Sequence, residues 1–327
     1  MSNVTLPLTD LYAPIQPGLD RVVGIMDREL ASDLPFVATL CERVQAYRGK
    51  MLRPALLLLT AEAVSGATPD HDTLGAVVEL VHLATLVHDD VLDEAELRRG
   101  HTTINGLVGN ESAVMLGDFL ISHAFHLCSS LDSQYASRLI GSTTNTVCEG
   151  ELMQLHHRGC YDLGEADYFE IIRRKTAALT GAACTLGARY ANADARTVVA
   201  LGGFGVNAGM AFQIMDDILD LTGTEQCTGK TLGRDLDLGK LTLPIIHFLS
   251  NVDSSRRTQL VEVLRKGSVA DRGSIAASLN DAGSLQYATT VAQRYVAKAL
   301  AALELLAPST ARSALTAMAE FIVRRDR

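Results

Sequence analysis

Two short acidic clusters stand out in the 327-residue chain because both follow the pattern D-D-x-x-D after an apolar run. The first reads HDDVLD and the second reads MDDILD. On a helix, residues four apart lie on the same face, so Asp89 would project with Asp93, and Asp216 with Asp220. Carboxylates placed in this way repel one another, and the negative end of the helix dipole further raises the electrostatic free energy of the cluster. Two such clusters therefore predict a bound cation.

Carboxylate oxygens of this kind suit Mg²⁺, which prefers one or two protein carboxylates and fills its octahedron with water and phosphate oxygens. We therefore expect Mg²⁺ as the cofactor and a diphosphate as its ligand. The basic residues that could neutralise a diphosphate are Lys50, Arg53, Arg98, Arg99, Lys175, Lys230 and Lys240. Because no Ser/His/Asp or Cys/His arrangement stands out, the sequence favours chemistry without a protein nucleophile.

The elements that must hold these residues are predicted to be helices. Apolar positions recur mostly three and four apart, and strict alternation is rare. The composition, 47% hydrophobic and 5% aromatic without tryptophan, is typical of a helix-rich protein with an ample core. No linker or low-complexity tract divides the chain, which predicts one domain over residues 1–327. Among the predicted helices are Asp72–Asp93, Glu111–Ser130, Asp167–Arg189 and Thr197–Leu221.

Charge and cysteine usage exclude several classes of protein. A net charge of −9 disfavours nucleic acid as a partner, since phosphate binding draws on a basic surface. Six cysteines without paired spacing and no signal-like segment predict a cytoplasmic protein. Polar residues such as Glu62 and Glu79 interrupt the apolar stretches before they reach the ~20 residues of a membrane span. We therefore expect no transmembrane segment.

Six stretches occur in order between about Gly49 and Pro244: GKMLRP, HLATLVHDDVLDEAELRRG, EGELMQL, RRKTAAL, FQIMDDILDLTG and GKTLGRDLDLGKLTLP. This set resembles the signature of the trans-isoprenyl diphosphate (polyprenyl) synthases, especially long-chain members such as octaprenyl and heptaprenyl diphosphate synthases. The resemblance implies the isoprenoid synthase fold, an all-α bundle around a deep cavity with both acidic motifs at its mouth. It implies the condensation of isopentenyl diphosphate with farnesyl or geranylgeranyl diphosphate. It also implies a homodimer and peripheral membrane association through the product.

The resemblance assigns roles by position. Mg²⁺ would be held by Asp89, Asp93 and Asp216. Asp90, Asp217 and Asp220 would lie further out, with Asp220 still counted in the metal-binding set. Isopentenyl diphosphate, which binds without metal, would be held by Lys50, Arg53, His82 and Arg99. The allylic diphosphate would contact Arg98, Lys175, Thr176, Gln213, Lys230 and Lys240. The residues expected to act in the chemical step are Asp89, Asp93, Asp216, Lys175 and Lys230.

The length of the product should depend on the residues that precede the first acidic motif. Thr85 and Ala84 lie one turn before Asp89, Val81 lies two turns before it, and none of them is large. An aromatic ring near this point closes the cavity in short-chain members of the family. The sequence therefore predicts a product longer than farnesyl diphosphate, and the resemblance narrows it to about seven to ten isoprene units.

Three other functions remain as alternatives: a synthase of shorter products, a class I terpene cyclase and a non-catalytic subunit of a heteromeric synthase. A cyclase is disfavoured because GKTLGRDL follows the second cluster where an Asn/Ser/Glu metal triad is expected. A non-catalytic subunit typically lacks the aspartate motifs, and both are complete here. A zinc site at Cys148, His156, His157 and Cys160 is disfavoured because these residues lack a paired Cys-x-x-Cys.

Overall fold

A computed structural model describes residues 8–45, 47–223, 233–266 and 272–324, to which the structural statements below refer. The first helices are α1 (Leu8–Tyr12), α2 (Gln16–Glu29), α3 (Pro35–Gln45), α4 (Leu52–Val64) and α5 (Pro69–Leu92). Two short strands, β1 (Leu97–Arg98) and β2 (His101–Thr102), precede α6 (Ile104–Ser129), α7 (Gln134–His156) and α8 (Glu165–Ile172). A π-helical segment (Arg173–Ala177) leads into α9 (Ala178–Tyr190) and α10 (Ala195–Thr222).

The remaining helices are α11 (Arg234–Asp237), α12 (Leu243–Asn251), α13 (Ser254–Lys266), α14 (Arg272–Asp281), α15 (Ser284–Ala302) and α16 (Thr310–Arg324). Short 3₁₀ turns cover Ala13–Ile15 and Leu303–Leu305. Within the described ranges, β1 and β2 form the only sheet, a two-stranded antiparallel hairpin. The prediction of an all-α fold is therefore confirmed.

Packing divides the described residues into two compact units. The first unit takes its residues from Met1–Thr144, Leu179–Gly205 and Ala302–Met318. The second unit takes its residues from Asn145–Ala178, Val206–Ala301 and Ala319–Arg327. The single domain expected from the sequence stays a prediction.

Helix α5 is the centre of the first unit and packs against α2, α4 and α6. It begins three residues earlier than predicted because Pro69 occupies its first turn and the Thr68 amide donates to His71 Nδ1 at 2.9 Å. The packing with α6 is close where Gly117 faces His88, whose ring fills the space that a Cβ at Gly117 would need. His88 Nε2 donates to the Val114 carbonyl at 3.1 Å, which fixes the helix pair just before the first acidic motif.

Helix α6 begins at Ile104, seven residues before the predicted start. Thr103 is its N-cap, and its hydroxyl accepts a hydrogen bond from the Gly106 amide at 3.3 Å. At Gly109 the backbone leaves the helical region, with φ of 82°. The apolar periodicity becomes regular only after this break, which explains why the sequence pattern placed the start too late.

Among the described helices, α10 is long and apolar enough to cross a membrane. In the structure 61% of its most apolar stretch is buried, as expected for a core helix. Its last turns carry the second acidic motif and belong to the second unit.

Candidate active site

The first acidic motif ends α5 in the first unit. Asp93 is the C-cap residue, and its amide donates to the Asp89 carbonyl at 2.8 Å, so the two aspartates lie one turn apart as predicted. Both are partly exposed, whereas Asp90 is buried at 1% exposure. The helical period therefore separates two accessible carboxylates from a buried one.

Asp90 is held by the protein on both of its oxygens. Arg98 Nε lies 2.8 and 2.9 Å from the two carboxylate oxygens, and the Tyr47 hydroxyl donates to Oδ2 at 2.8 Å. The Tyr47 oxygen in turn accepts a hydrogen bond from the Ile104 amide at 3.0 Å. Contact between Arg98 and the allylic diphosphate stays a prediction, and this contact would compete with the buried pair.

The β-hairpin directs the two neighbouring arginines to different partners. Arg99 and Gly100 form its turn with φ of 51° and 78°, the geometry of a two-residue type I′ loop. A non-glycine residue is uncommon in this region, and such strain is often found at functional sites. Arg99 Nη1 donates to the Tyr47 carbonyl, and Gly49 leaves the space that the Arg99 guanidinium occupies.

A buried carboxylate, Glu79, lies among three arginines of the first unit. Its side chain is 2% exposed and one of its oxygens has no hydrogen-bond partner. Burial raises the pKa of Glu79, and the charges of Arg53, Arg99 and Arg48 oppose that rise. Burial likewise lowers the pKa of Arg53, whose Nε is buried without a partner. No role for Glu79 was predicted from the sequence, although an acidic residue inside an apolar helix was the available signal.

Lys50 and His82 complete the set predicted for isopentenyl diphosphate. The carbonyl of Lys50 accepts a hydrogen bond from the Tyr12 hydroxyl at 2.9 Å, which fixes the backbone before α4. His82 is partly exposed and lies one turn after Glu79 on α5. The first unit therefore contains all four residues of that set.

A pocket of the second unit brings together several residues predicted to bind the allylic diphosphate. Its lining includes Lys175, Thr176, Gln213, Lys240, Asp217 and Asp235. Lys240 Nζ lies 3.9 Å from Asp235 Oδ1, and the Lys240 amide donates to the Asp235 carbonyl at 2.8 Å. Lys230 lies outside the described residues.

Asp217, like Asp90, is buried and bonded on both oxygens. The Tyr168 hydroxyl donates to Oδ2 at 2.7 Å and Gln213 Nε2 donates to Oδ1 at 2.7 Å. Thr176 Oγ1 donates to the side-chain oxygen Oε1 of Gln213 at 2.9 Å, and this bond links the π-helical segment to α10. Burial, followed by the charge of Asp217, raises the pKa of Tyr168, so the hydroxyl keeps the proton that it donates.

Asp220 has the properties of a cation ligand. Its Oδ1 accepts a hydrogen bond from the Gly233 amide at 3.2 Å, while its Oδ2 is buried without a partner. Burial and then repulsion from Asp235 raise the pKa of Asp220 to about 7, with a smaller contribution from Asp216. Clustered carboxylates with an unsatisfied oxygen fit Mg²⁺, which is a hard cation and prefers oxygen ligands. No role was predicted for Asp235 from the sequence, although it lies inside the motif GKTLGRDLDLGKLTLP.

We predict that the contribution of Asp220 to the stability of the metal-free protein falls as the pH rises from about 4 to 7. The folded pKa of Asp220, about 7, exceeds its ordinary value of 3.8. Folding therefore retains a proton, and the stability linked to it is lost as the pH rises through the folded pKa. Melting temperatures in chelator should show this slope, and Asp220→Asn should flatten it. A wild-type slope no steeper than that of the variant would contradict the prediction.

Helix α7 approaches the π-helical segment closely at Gly150. A Cβ there would lie 2.5 Å from the Lys175 amide nitrogen and 2.7 Å from Arg174 Cβ. Lys175 Nζ donates to Gln154 Oε1 at 2.8 Å and forms an ion pair with Glu151, so α7 orients this lysine. A π-segment is often found at a functional site because its extra residue changes the direction of nearby side chains.

We predict that Gly150→Ala lowers kcat about tenfold, because the methyl group would displace the backbone that carries Lys175. Gly141→Ala is the matched control on the same helix. A Cβ at Gly141 would meet only the Phe125 ring, at an ordinary contact distance of 3.8 Å. Steady-state kinetics of the two variants should differ, and equal kcat values would contradict this role for Gly150.

The three residues predicted to control product length differ in their exposure to solvent. Val81 and Ala84 have no exposed surface, whereas Thr85 is partly exposed and its hydroxyl donates to the His82 carbonyl at 2.7 Å. Periodicity alone grouped Ala84 with Thr85 because both lie about one turn from Asp89. Burial favours Thr85 as the residue open to a growing product.

Outside these sites, two histidines of α6 meet one glutamate. His123 Nδ1 and His126 Nδ1 lie 2.9 and 2.7 Å from Glu29 Oε1. Within the described part of the chain, this is the one group of three possible metal ligands with their ligand atoms close together. Hydrogen bonds account for all three side chains, and His126 is 73% exposed. Cys148, His156, His157 and Cys160, which lie in the described part of the chain, do not form such a group.

Comparison with known proteins identifies the family. The family profile described as Polyprenyl synthetase matches residues 35–281, which is more than half of the chain. The chain belongs to the polyprenyl synthetase family. Octaprenyl diphosphate synthase of Escherichia coli (strain K12) is 33% identical over 300 residues, covering 91% of this chain and 93% of that protein.

Two further members of the polyprenyl synthetase family are similar along nearly the whole chain. All-trans-nonaprenyl-diphosphate synthase (geranyl-diphosphate specific) of Rhodobacter capsulatus is 35% identical, covering 97% of each chain. The structure of a polyprenyl synthase from Caulobacter crescentus CB15, complexed with calcium and isoprenyl diphosphate, superposes with a TM-score of 0.93. It is 32% identical and covers 99% of this chain and 100% of that one. The predictions of the isoprenoid synthase fold and of a prenyltransferase are confirmed.

Proposed function

We propose that this protein condenses isopentenyl diphosphate with an allylic diphosphate to make a long all-trans polyprenyl diphosphate. The observation that carries the proposal is the pocket of the second unit. There, Lys175, Thr176 and Lys240 lie beside a carboxylate cluster whose Asp220 has an unsatisfied buried oxygen. Cationic donors beside a cation site are suited to a diphosphate leaving group.

The residues divide the work between two diphosphates. In the first unit, Arg53 and Arg99 supply charge for isopentenyl diphosphate, and the buried Glu79 keeps these guanidinium groups oriented. Asp89, Asp93, Asp216 and Asp220 would hold Mg²⁺. When bound, Mg²⁺ would neutralise the charge that develops on the allylic diphosphate as it leaves.

The reaction balances without a protein nucleophile. The allylic C–O bond breaks, and Lys175 and Lys240 stabilise the departing diphosphate by charge. The alkene of isopentenyl diphosphate attacks the resulting allylic cation, which forms a C–C bond. A proton then leaves, and the departed diphosphate is the base that the reaction itself supplies. Each cycle lengthens the chain by one isoprene unit.

A long product is supported by the small, partly exposed residue Thr85 of α5 and by the octaprenyl and nonaprenyl diphosphate synthases among the relatives. A shorter-chain synthase is the main alternative. A terpene cyclase and a non-catalytic subunit have less support because both aspartate motifs and the cationic set are complete. The primer, farnesyl or geranylgeranyl diphosphate, is part of the same proposal.

We also propose that the chain forms a single domain and that two copies form a homodimer in the cytoplasm. The protein would associate with membranes through its product. Helix α6 supports the dimer because its apolar residues Leu107, Val114 and Met115 are exposed, at 46%, 41% and 64%. Exposed apolar side chains on one helix are typical of an interface between protein chains. Light scattering of the purified protein would measure the oligomeric state.

The decisive experiment incubates the purified protein with Mg²⁺, labelled isopentenyl diphosphate and each primer, and measures product length by chromatography. We expect incorporation of several isopentenyl units per primer, and none in excess chelator. Release of a cyclic hydrocarbon without isopentenyl diphosphate would identify a cyclase. Activity only after addition of a second, different protein would identify a subunit of a heteromeric enzyme.

A further inference from the structure

The two acidic motifs share a feature that the sequence pattern does not show. In each motif the second aspartate is buried and accepts a hydrogen bond from a tyrosine hydroxyl of another segment. Asp90 pairs with Tyr47 at 2.8 Å, and Asp217 pairs with Tyr168 at 2.7 Å. The two tyrosines are themselves 2% and 3% exposed. The same arrangement therefore occurs once in each unit.

These bonds leave the middle aspartates little capacity to ligate a metal. In the second unit, Tyr168 and Gln213 donate to different oxygens of Asp217. A carboxylate fixed in this way cannot rotate towards an ion without leaving a buried donor unsatisfied, which costs free energy. Asp217 instead fixes the turn of α10 that carries Asp216 and Asp220. Asp216 precedes Asp217 by one residue, and Asp220 follows it by three.

Tyr168 also connects the metal-binding turn to the lysine that stabilises the leaving group. It lies on α8, which continues directly into the π-helical segment with Lys175 and Thr176. The hydroxyl of Thr176 reaches Asp217 through Gln213, so two hydrogen-bonded paths join this segment to α10. Groups that hydrogen-bond to metal ligands, without touching the metal, commonly change metal affinity about 10–100-fold.

We propose that Tyr168 is a positioning residue, whose hydroxyl holds Asp217 and thereby sets the metal-binding geometry of Asp216 and Asp220. Tyr47 is its counterpart in the first unit, through Asp90. This inference rests on the proposed function, because it assumes that the acidic motifs bind a metal-complexed diphosphate. It assigns a role to two tyrosines. Asp90 and Asp217 would then position the neighbouring aspartates and would not bind the metal themselves.

The test uses Tyr168→Phe, which removes the hydroxyl and keeps the ring. Tyr287→Phe is the matched control, because the Tyr287 hydroxyl donates to Glu165 at 2.8 Å, also on α8 but outside the acidic motif. Calorimetric binding of inorganic diphosphate, with and without Mg²⁺, provides a readout that does not depend on activity. Melting temperatures monitor folding.

With Mg²⁺ present, Tyr168→Phe should bind inorganic diphosphate about tenfold more weakly than the wild type. The difference should vanish without Mg²⁺, the KM for isopentenyl diphosphate should stay unchanged, and Tyr287→Phe should behave as the wild type. Unchanged binding with Mg²⁺, or an equal loss with and without it, would overturn the inference. If the wild type binds Mg²⁺–diphosphate but transfers no prenyl group, the proposed function fails while this comparison still decides the role of Tyr168.

A second variant tests the inference independently, in case Tyr168→Phe does not fold. Asp217→Asn removes a charge and keeps an oxygen that can accept from Tyr168, while its NH2 group can donate to Gln213 Oε1 once the Gln213 side-chain amide flips. If Asp217 acts by position, Asp217→Asn should retain Mg²⁺–diphosphate affinity within about threefold, whereas Asp216→Asn should lose most of it. Equal losses in the two asparagine variants would show that Asp217 is itself a ligand and would overturn the inference.

Discussion

Asp216→Asn should lower kcat on the order of 10²–10³-fold while leaving the protein folded. Asp216 is partly exposed, next to the buried Asp217 and one turn before the partly exposed Asp220. Burial and then the charge of Asp235 raise the pKa of both neighbours, and repulsion from Asp216 adds a smaller rise. Removing its charge therefore removes a metal ligand but relieves repulsion within the cluster. We expect a large loss in turnover, measured with saturating Mg²⁺ and both substrates, and an unchanged or higher melting temperature in chelator.

The control for this variant is Asp237→Asn. Asp237 is an exposed aspartate in α11 of the same unit, and its removal changes the net charge equally. Its kcat should remain within about twofold of the wild type, as expected for a surface substitution. Near-wild-type turnover of Asp216→Asn, or comparable losses in the two variants, would count against metal binding by the second motif.

The helical period alone was enough to pair the accessible aspartates. Apolar positions three and four residues apart predicted α5 and α10, and residues four apart on a helix must share a face. What the pattern could not predict is which of three neighbouring aspartates is buried. That depends on Tyr47 and Tyr168, which lie 43 and 49 residues away in sequence and reach Asp90 and Asp217 only after folding.

Local irregularities were beyond the sequence pattern for a similar reason. The hairpin before α6 has strands of only two residues, too short for any alternation to be visible. The π-helical segment lies inside one continuous apolar pattern, so the sequence predicted a single helix over Asp167–Arg189. The segment packs closely against Gly150 of α7, a tertiary contact that no local sequence pattern shows. Each irregularity carries a residue of the candidate site.

Glu79 was missed because its partners come from distant segments. Glu79 interacts with Arg53, Arg99 and Arg48, whose positions depend on the turn before α4 and on the hairpin. A buried carboxylate without charged neighbours would be costly, so its burial indicates that the guanidinium groups are arranged around it. The sequence alone could only mark Glu79 as an interruption in an apolar run.

Burial also refines the expected control of product length. Any side chain that blocks a growing product must lie on a face that the product can reach. Thr85 satisfies this condition, whereas Ala84 has no exposed surface. A phenylalanine at Ala84 would overpack the first unit at a cost of about 1–3 kcal/mol, so its effect on the product would be mixed with a loss of stability.

Thr85→Phe should shorten the product to about three or four isoprene units without abolishing the first condensations. The ring would be inserted about 5.4 Å, one helical turn, before Asp89 at a partly exposed position of α5, and it would leave the acidic motifs intact. Product length by chromatography and isopentenyl units consumed per primer should fall together, while the melting temperature stays close to that of the wild type. Thr85→Ser, which keeps the hydroxyl that donates to His82, should make the wild-type product. If Thr85→Phe also kept the wild-type length, the growing chain would have to follow a surface other than this face of α5.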